Sequence, residues 1–286
     1  MPLKKWSTNE PELGLYIKDT SPVKDPSISC NLPSIGIPWN QSADTLSVPV
    51  SKAVKELEPG SPSKRKLLRG LAQIFDPLGI MGPMTINSNI LLQKLWKQKL
   101  GWDSPLEGNL SEFTDFRDLL TQGEVSIKRH FLSPILPKPR RQLHIFSDAS
   151  LAAYGCVIYL WEIFNENTIK THFMIAKAKV SPVRPTTIHR LELLGALLAA
   201  RLTNSLLNLM DVETDSIHPY TDNSSVLGWV KSKPERWKPY VANRIRRSGR
   251  LEIREIRRKP GGSHLSWREH LDGSQQNIVA RGTTLA

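Results

Sequence analysis

Three acids stand where carboxylates could act together: Asp148 in "HIFSDAS", Glu192 in "HRLELLGALLAARL" and Asp222 in "YTDNSS". Singly, each has an ordinary explanation. An Asp at a strand end forms turns or caps helices, and a Glu in the first turns of a helix suits the helix dipole. As a set they mean more, because two strands ending in Asp at adjacent edges, with a helix laying Glu192 over them, bring three carboxylates to one point. Like charges that close repel strongly unless a cation sits among them. Oxygen ligands without a thiolate or imidazole suit Mg²⁺ or Mn²⁺, and a pair of such ions about 3.5–4 Å apart activates water and stabilises the leaving oxygen in phosphodiester cleavage. The constellation is that of a metal nuclease.

The elements that must position these acids follow from periodicity. After "PKPRR" the apolar period becomes two, and "QLHIFSD", "AAYGCVIYLWEI" and "TIKTHFMIAKAKV" read as three strands of an antiparallel meander, turned at "ASL" and "FNENT". The Thr-opened, Leu- and Ala-rich run "TTIHRLELLGALLAARLTNSLLNLM" predicts a long helix lying on that sheet. "SIHPYTD" predicts a fourth strand, "NSSVLGWVKS" and "KPYVANRIRRSG" two helices, and "SHLSWREH" a last strand. Upstream, residues 61–139 predict a helical subdomain, with one helix opened by Ser in "SPSKRKLLRGLAQIFDPLG" and a second from near Met84. Residues 1–60, rich in Pro, Ser, Asn and Asp, predict only brief strands such as "LGLYI" and "SIGIPW". Without their pairing partners, residues 1–60 are expected to be the most poorly ordered part. The expected organisation is three stretches, 1–60, 61–139 and 140–286.

Bulk properties narrow the partners. The 286 residues carry 39 Lys and Arg against 27 Asp and Glu, a formal charge of +12 that favours polyanions, nucleic acid first among them. The basic character concentrates between Arg236 and Lys259, where ten Lys or Arg stand against two Glu, with Trp237 and Tyr240 among them. Arg236, Lys238, Arg244, Arg246 and Arg247 are the candidate phosphate contacts, and the aromatics could stack on bases or belong to the core. Two cysteines, Cys30 and Cys156, exclude a disulfide framework or a structural zinc site and suit a reducing intracellular compartment, cytoplasmic or nuclear. No apolar run is long enough to span a bilayer, and "MPLKKWSTNE" has charge without a following apolar region, so neither signal peptide nor anchor is expected.

The segments "FSDAS", "AAYGCVIYL", "HRLELLGALLAARL", "YTDNSSVLGWV" and "YVANRI" resemble the ribonuclease H domain of BEL/Pao-type long-terminal-repeat retrotransposons. Upstream, "KKWSTN", "IGIPWN", "SKRKLLRGLAQIFDPLGIMGPMTI" and "LLQKLWKQKLGWDSPL" resemble the part of the same polyprotein that joins reverse transcriptase to ribonuclease H. The resemblance implies an α/β fold with a ribonuclease H-like mixed five-stranded sheet and flanking helices, preceded by a small, mainly helical thumb and connection subdomain. It places "IGIPWN" at the end of the polymerase palm. It implies Asp148, Glu192 and Asp222 as ligands of two Mg²⁺ or Mn²⁺ ions and the RNA strand of an RNA–DNA hybrid as substrate. No Tyr-x-Asp-Asp motif occurs, so the polymerase centre is expected before Met1 and the integrase segments after Ala286, as further parts of one polyprotein and as partners.

The resemblance also exposes a departure. The family's fourth carboxylate lies in a run like "NPADLASRG", whereas this chain has "SQQNIVARG". Aligned on Arg281 and Gly282, Asn277 stands where Asp is expected; aligned on the preceding Gln-Asn, the acid is deleted. A neutral amide can ligate but holds the second ion more weakly and takes up no proton, so weakened activity is implied. Asp272 could substitute if the loop is re-registered. His270, after the last predicted strand, could shuttle protons, though a lone histidine is more often structural, and the same holds for His189. Two rival functions stand beside the nuclease: an inactive, host-adopted nucleic-acid-binding or structural remnant, and an aspartic peptidase by family label. The peptidase would need Asp-Thr-Gly or Asp-Ser-Gly, and neither tripeptide occurs.

Overall fold

A computed structural model describes residues 36–58, 60–106, 108–122, 125–130, 132–133, 139–165, 168–209 and 216–248, the backbone of 254–255 and a few positions from 8 to 16. The expected strand "SHLSWREH", together with His270, Asp272 and Asn277, lies outside the described residues. Among those described, no helix is long and apolar enough to cross a membrane.

The chain divides into two compact units, residues 1–77 with 102–132, and residues 78–101 with 133–286. The first holds a three-stranded antiparallel sheet of β1 (Trp39–Asn40), β2 (Thr45–Val48) and β3 (Val125–Lys128). With it go α1 (Ser51–Leu57), α2 (Lys64–Ala72) and α4 (Leu110–Thr121), and the Ser63 hydroxyl caps α2 at the Lys66 N–H as its position in "SPSKRK" predicts. "LGLYI" differs from the expected strand: Leu13, Leu15 and Tyr16 have helical backbone.

The second unit contains α3 (Gly82–Lys97) and a five-stranded mixed sheet in the order β6-β5-β4-β7-β8. β4 (Arg140–Ala149), β5 (Ala153–Asn165) and β6 (Thr168–Val180) form the expected antiparallel meander. β7 (Ser216–Thr221) runs parallel to β4, pairing Phe146 with Tyr220, and β8 (Arg254–Glu255) runs parallel to β7. The fifth strand thus comes inside the run that sequence alone marks as a basic surface. Long α5 (Ile188–Leu209) packs on β4 and β5, and α6 (Ser224–Lys231) and α7 (Pro239–Ser248) pack against α5. Their shared core is Leu193, Ala196, Val226, Leu227, Val241 and Ile245.

The two upstream helices fall in different units, and the reason is local. Ala176 of β6 donates its N–H to the Leu78 carbonyl, Gly79 turns at φ +76° where a Cβ would collide with the Ala176 carbonyl, and Gln93 of α3 donates to the Ser181 carbonyl. These contacts fasten α3 to the large sheet.

Candidate functional site

β4 and β7 are adjacent parallel strands, so their carboxyl ends emerge side by side. Asp148 lies two residues beyond Phe146 and Asp222 two beyond Tyr220, the last pair of the β4–β7 register. One residue before Asp148, the buried Ser147 hydroxyl donates to the Tyr220 carbonyl at 3.3 Å and ties the strand ends together. Past Asp148 the chain turns at once, because the Ser150 hydroxyl accepts from the Ala152 and Ala153 N–H groups at 3.2 Å. One Asp148 oxygen accepts from the Ala149 N–H at 2.8 Å, and the side chain is otherwise exposed at this small-residue turn.

The helix supplies the third acid through a close approach at Gly195. Gly155 of β5 pairs with Asp148, and a Cβ on Gly195 would stand 3.2 Å from the Asp148 carbonyl oxygen and 3.5 Å from that of Gly155. Gly195 follows Glu192 by three residues, on the same helix face. The bare backbone at Gly195 lets α5 settle against the strands, and Glu192 reaches the site buried, at 5% exposure.

Asp148, Glu192 and Asp222 each offer a carboxylate oxygen within 4.8 Å of the others. At that separation each pair repels by roughly 1 kcal/mol in water and roughly 3 kcal/mol at an effective dielectric of about 20. Burial of Glu192 pushes the site toward the larger value. A donor set of carboxylate oxygens alone fits Mg²⁺ or Mn²⁺. Cys156, next to Gly155, does not alter the set: burial pushes its thiol up to about 12, so it stays protonated at neutral pH.

Asn223 organises the turn after Asp222. Its side-chain oxygen accepts from the Val226 N–H and caps α6, while its amide nitrogen donates to His189 Nδ1 at 3.3 Å. His189 is exposed on the first turn of α5, so this bond joins the segments that carry Glu192 and Asp222.

The predicted basic residues are spread over one short region. Arg236 ends a 3₁₀ turn, Lys238 precedes α7, and Arg247 lies near its end, all exposed. Arg246 pairs with Glu235 at 3.0 Å, and backbone hydrogen bonding, helped by that guanidinium, holds the Glu235 carboxyl below its usual range. Arg244 is half-buried over the Tyr240 ring, 3.4 Å from its centre. Trp237 stands edge-on to Trp229. Sequence reasoning missed Arg190, which lies 4.8 Å over the same Tyr240 ring. Its place is three residues before Leu193, at the head of an otherwise apolar helical stripe, but nothing local in the sequence pairs it with Tyr240.

No curated protein matches the chain. Among solved structures it is similar to a foamy viral protease–reverse transcriptase in complex with an RNA/DNA hybrid, at 12% identity and a TM-score of 0.46, over 82% of this chain and 30% of that one. The same viral protein in complex with double-stranded DNA gives 13% identity and a TM-score of 0.40, over 82% of this chain and 46% of that one. The chain therefore spans less than half the length of these structures. Residues 63–223, more than half of the sequence, match the family model described as the Pao retrotransposon-like RNaseH-like domain, and the chain belongs to that family.

Proposed function

We propose that this chain is a divalent-metal-dependent ribonuclease H module that binds an RNA–DNA hybrid and hydrolyses its RNA strand, within a retroelement replication complex containing polymerase and integrase parts. The observation that carries this reading is the convergence of Asp148, Glu192 and Asp222 to within 4.8 Å. These three residues would hold Mg²⁺ or Mn²⁺, which when bound supplies an activated water and charge stabilisation of the leaving oxygen. Asp148 and Asp222 present their oxygens from adjacent strand ends, and Glu192 is held by the close packing of α5. Ser147, Ala149 and Ser150 are small, which leaves the exposed side of Asp148 open to a phosphodiester. Residues 1–60 would be the end of a polymerase palm and 61–139 a thumb and connection, as the sequence resemblance implies.

Asn277 favours a second reading. A neutral amide in place of the fourth acid weakens retention of a second ion, so the same fold could serve as a nucleic-acid-binding remnant. Cleavage of a labelled RNA–DNA hybrid in Mg²⁺ or Mn²⁺, wild type against Asp148→Asn, separates the two. Slow cleavage lost in Asp148→Asn supports the nuclease; two inert proteins that still bind hybrid support the remnant.

A further inference from the structure

The chain passes from the first compact unit into the second between Leu132 and Ser133, and a buried carboxylate holds it there. Glu162 of β5, fully buried, accepts from the Ser133 N–H with both oxygens, at 3.3 and 3.1 Å. Arg141 of β4 donates to Oε1 of the same carboxylate from Nε and Nη2, at 3.1 and 3.0 Å. His172 of β6 brings Nε2 to 3.2 Å from Oε2, and its side chain is 15% exposed. Lys170, the β6 residue opposite Glu162, donates to the Ser133 hydroxyl at 3.3 Å, with its ammonium 5.0 Å from the centre of the Phe164 ring. Glu162 lies seven residues along β5 from Gly155, roughly 23 Å at the rise of a strand, so this corner is separate from the carboxylate cluster.

The groups that face Glu162 are thus Arg141 on β4, Lys170 and His172 on β6, and the Ser133 segment. Of these side chains only the imidazole ordinarily changes charge between about pH 5 and 8. Burial raises the Glu162 pKa, but hydrogen bonds from Ser133 and Arg141 and the charge of His172 hold it below the ordinary 4.5, so it stays ionised throughout that range. An ionised carboxylate only accepts, so the proton between the two side chains sits on Nε2 whether the ring is charged or neutral. Deprotonation of His172 therefore leaves the hydrogen bond and removes the positive charge. Ser133 covers the pair, and lifting its segment lets water in to screen the attraction between imidazolium and carboxylate. The attraction is stronger with the segment closed, and its loss as pH rises loosens the closure.

We propose that His172 is a proton-operated latch on the entry of the chain into the second unit: its imidazolium tightens, and its neutral ring loosens, the grip of Glu162 on Ser133. The test is NMR of the full chain, following exchange of the Ser133 amide from about pH 5.5 to 8.5 with correction for the intrinsic rate. The Thr85 amide, bonded to the Met81 carbonyl at the start of α3, serves as the reference for overall stability of the same unit. In the wild type, protection of Ser133 relative to Thr85 is expected to fall by about fivefold as pH rises, the scale of one partly exposed ion pair. His172→Gln keeps an N–H donor without a titrating charge, and its ratio should stay level near the wild type's alkaline value. A wild-type ratio that does not change with pH, or a fall that persists in His172→Gln, would overturn the latch. If that variant does not fold, the wild type still decides, because the fall must share its midpoint with the titration of the His172 ring signals. A different midpoint overturns the proposal.

Discussion

The Cβ position of Gly195 lies 3.2 Å from the carbonyl oxygen of Asp148, so the helix bearing Glu192 rests directly on the backbone of the strand bearing the first acid. A side chain at Gly195 must push α5 away from β4, and Glu192 moves with it. Gly195→Val should therefore destabilise the protein by about 1–3 kcal/mol through overpacking. It should also weaken Mn²⁺ binding more than its stability loss alone explains. Urea unfolding and metal titration of the same variant check this; a stable variant with native metal affinity would mean that the close approach is not needed.

The carboxylate cluster also has a cost in the metal-free protein. Glu192→Gln removes one of three mutually repelling charges and the one most deeply buried, so the metal-free variant should melt higher than the wild type, by the equivalent of roughly 1–3 kcal/mol. Adding Mn²⁺ should narrow or close that gap, because the wild type gains the larger linkage stabilisation, about 2.7 kcal/mol at a hundredfold excess over its Kd. Thermal melts with EDTA and with Mn²⁺ test both halves.

Much of this site was legible in the residues. The period-two runs of β4 to β6, the Leu- and Ala-rich α5 and the three acids each followed from local pattern, because strand alternation and helix composition are encoded over a few residues. The close approach was not legible: Gly195 matters only because helix placement brings it onto the carbonyls of Asp148 and Gly155. Arg190 was missed for a similar reason, since its partner Tyr240 lies fifty residues away. Helix periodicity near Met84 predicted α3 correctly, but periodicity does not say which core a helix joins, and backbone contacts at Leu78, Gly79 and Gln93 decide that. β8 is only two residues long and charged, with no alternation to read.

A second buried acid is structural. Glu162 on β5 is fully buried and accepts from Arg141 at 3.0 Å, from the Ser133 N–H at 3.1 Å and from His172 at 3.2 Å. Burial raises its pKa, yet hydrogen bonds from Ser133 and Arg141 and the charge of His172 outweigh that and hold it below the ordinary value of 4.5. Because the folded value is depressed, Glu162 contributes stability above pH 4.5 that is lost as pH falls through the folded value. Glu162→Gln should cost about 3 kcal/mol at neutral pH by leaving the half-buried Arg141 without its counter-charge. The stability difference between wild type and variant should shrink below pH 4.5. A difference that stays constant from neutral to acid pH in urea unfolding would show that the carboxylate charge is not what stabilises this corner.

The fourth position makes a gain-of-function prediction. If Asn277 is what limits hydrolysis, Asn277→Asp should raise the RNA-cleavage rate by about tenfold or more, on the order of 1.4 kcal/mol of barrier. The increase should be larger in Mg²⁺ than in Mn²⁺, since Mg²⁺ gives up its waters reluctantly and needs more help from charged ligands. No increase in either metal would show that this amide does not limit the reaction.

The central claim is that Asp148, Glu192 and Asp222 form one cation site, and calorimetric titration of the full chain with Mn²⁺ tests it most directly. Saturable binding in the wild type, weakened at least tenfold in each of Asp148→Asn, Glu192→Gln and Asp222→Asn, is the predicted result. Wild-type binding that all three variants retain, or no binding by the wild type at all, would contradict it.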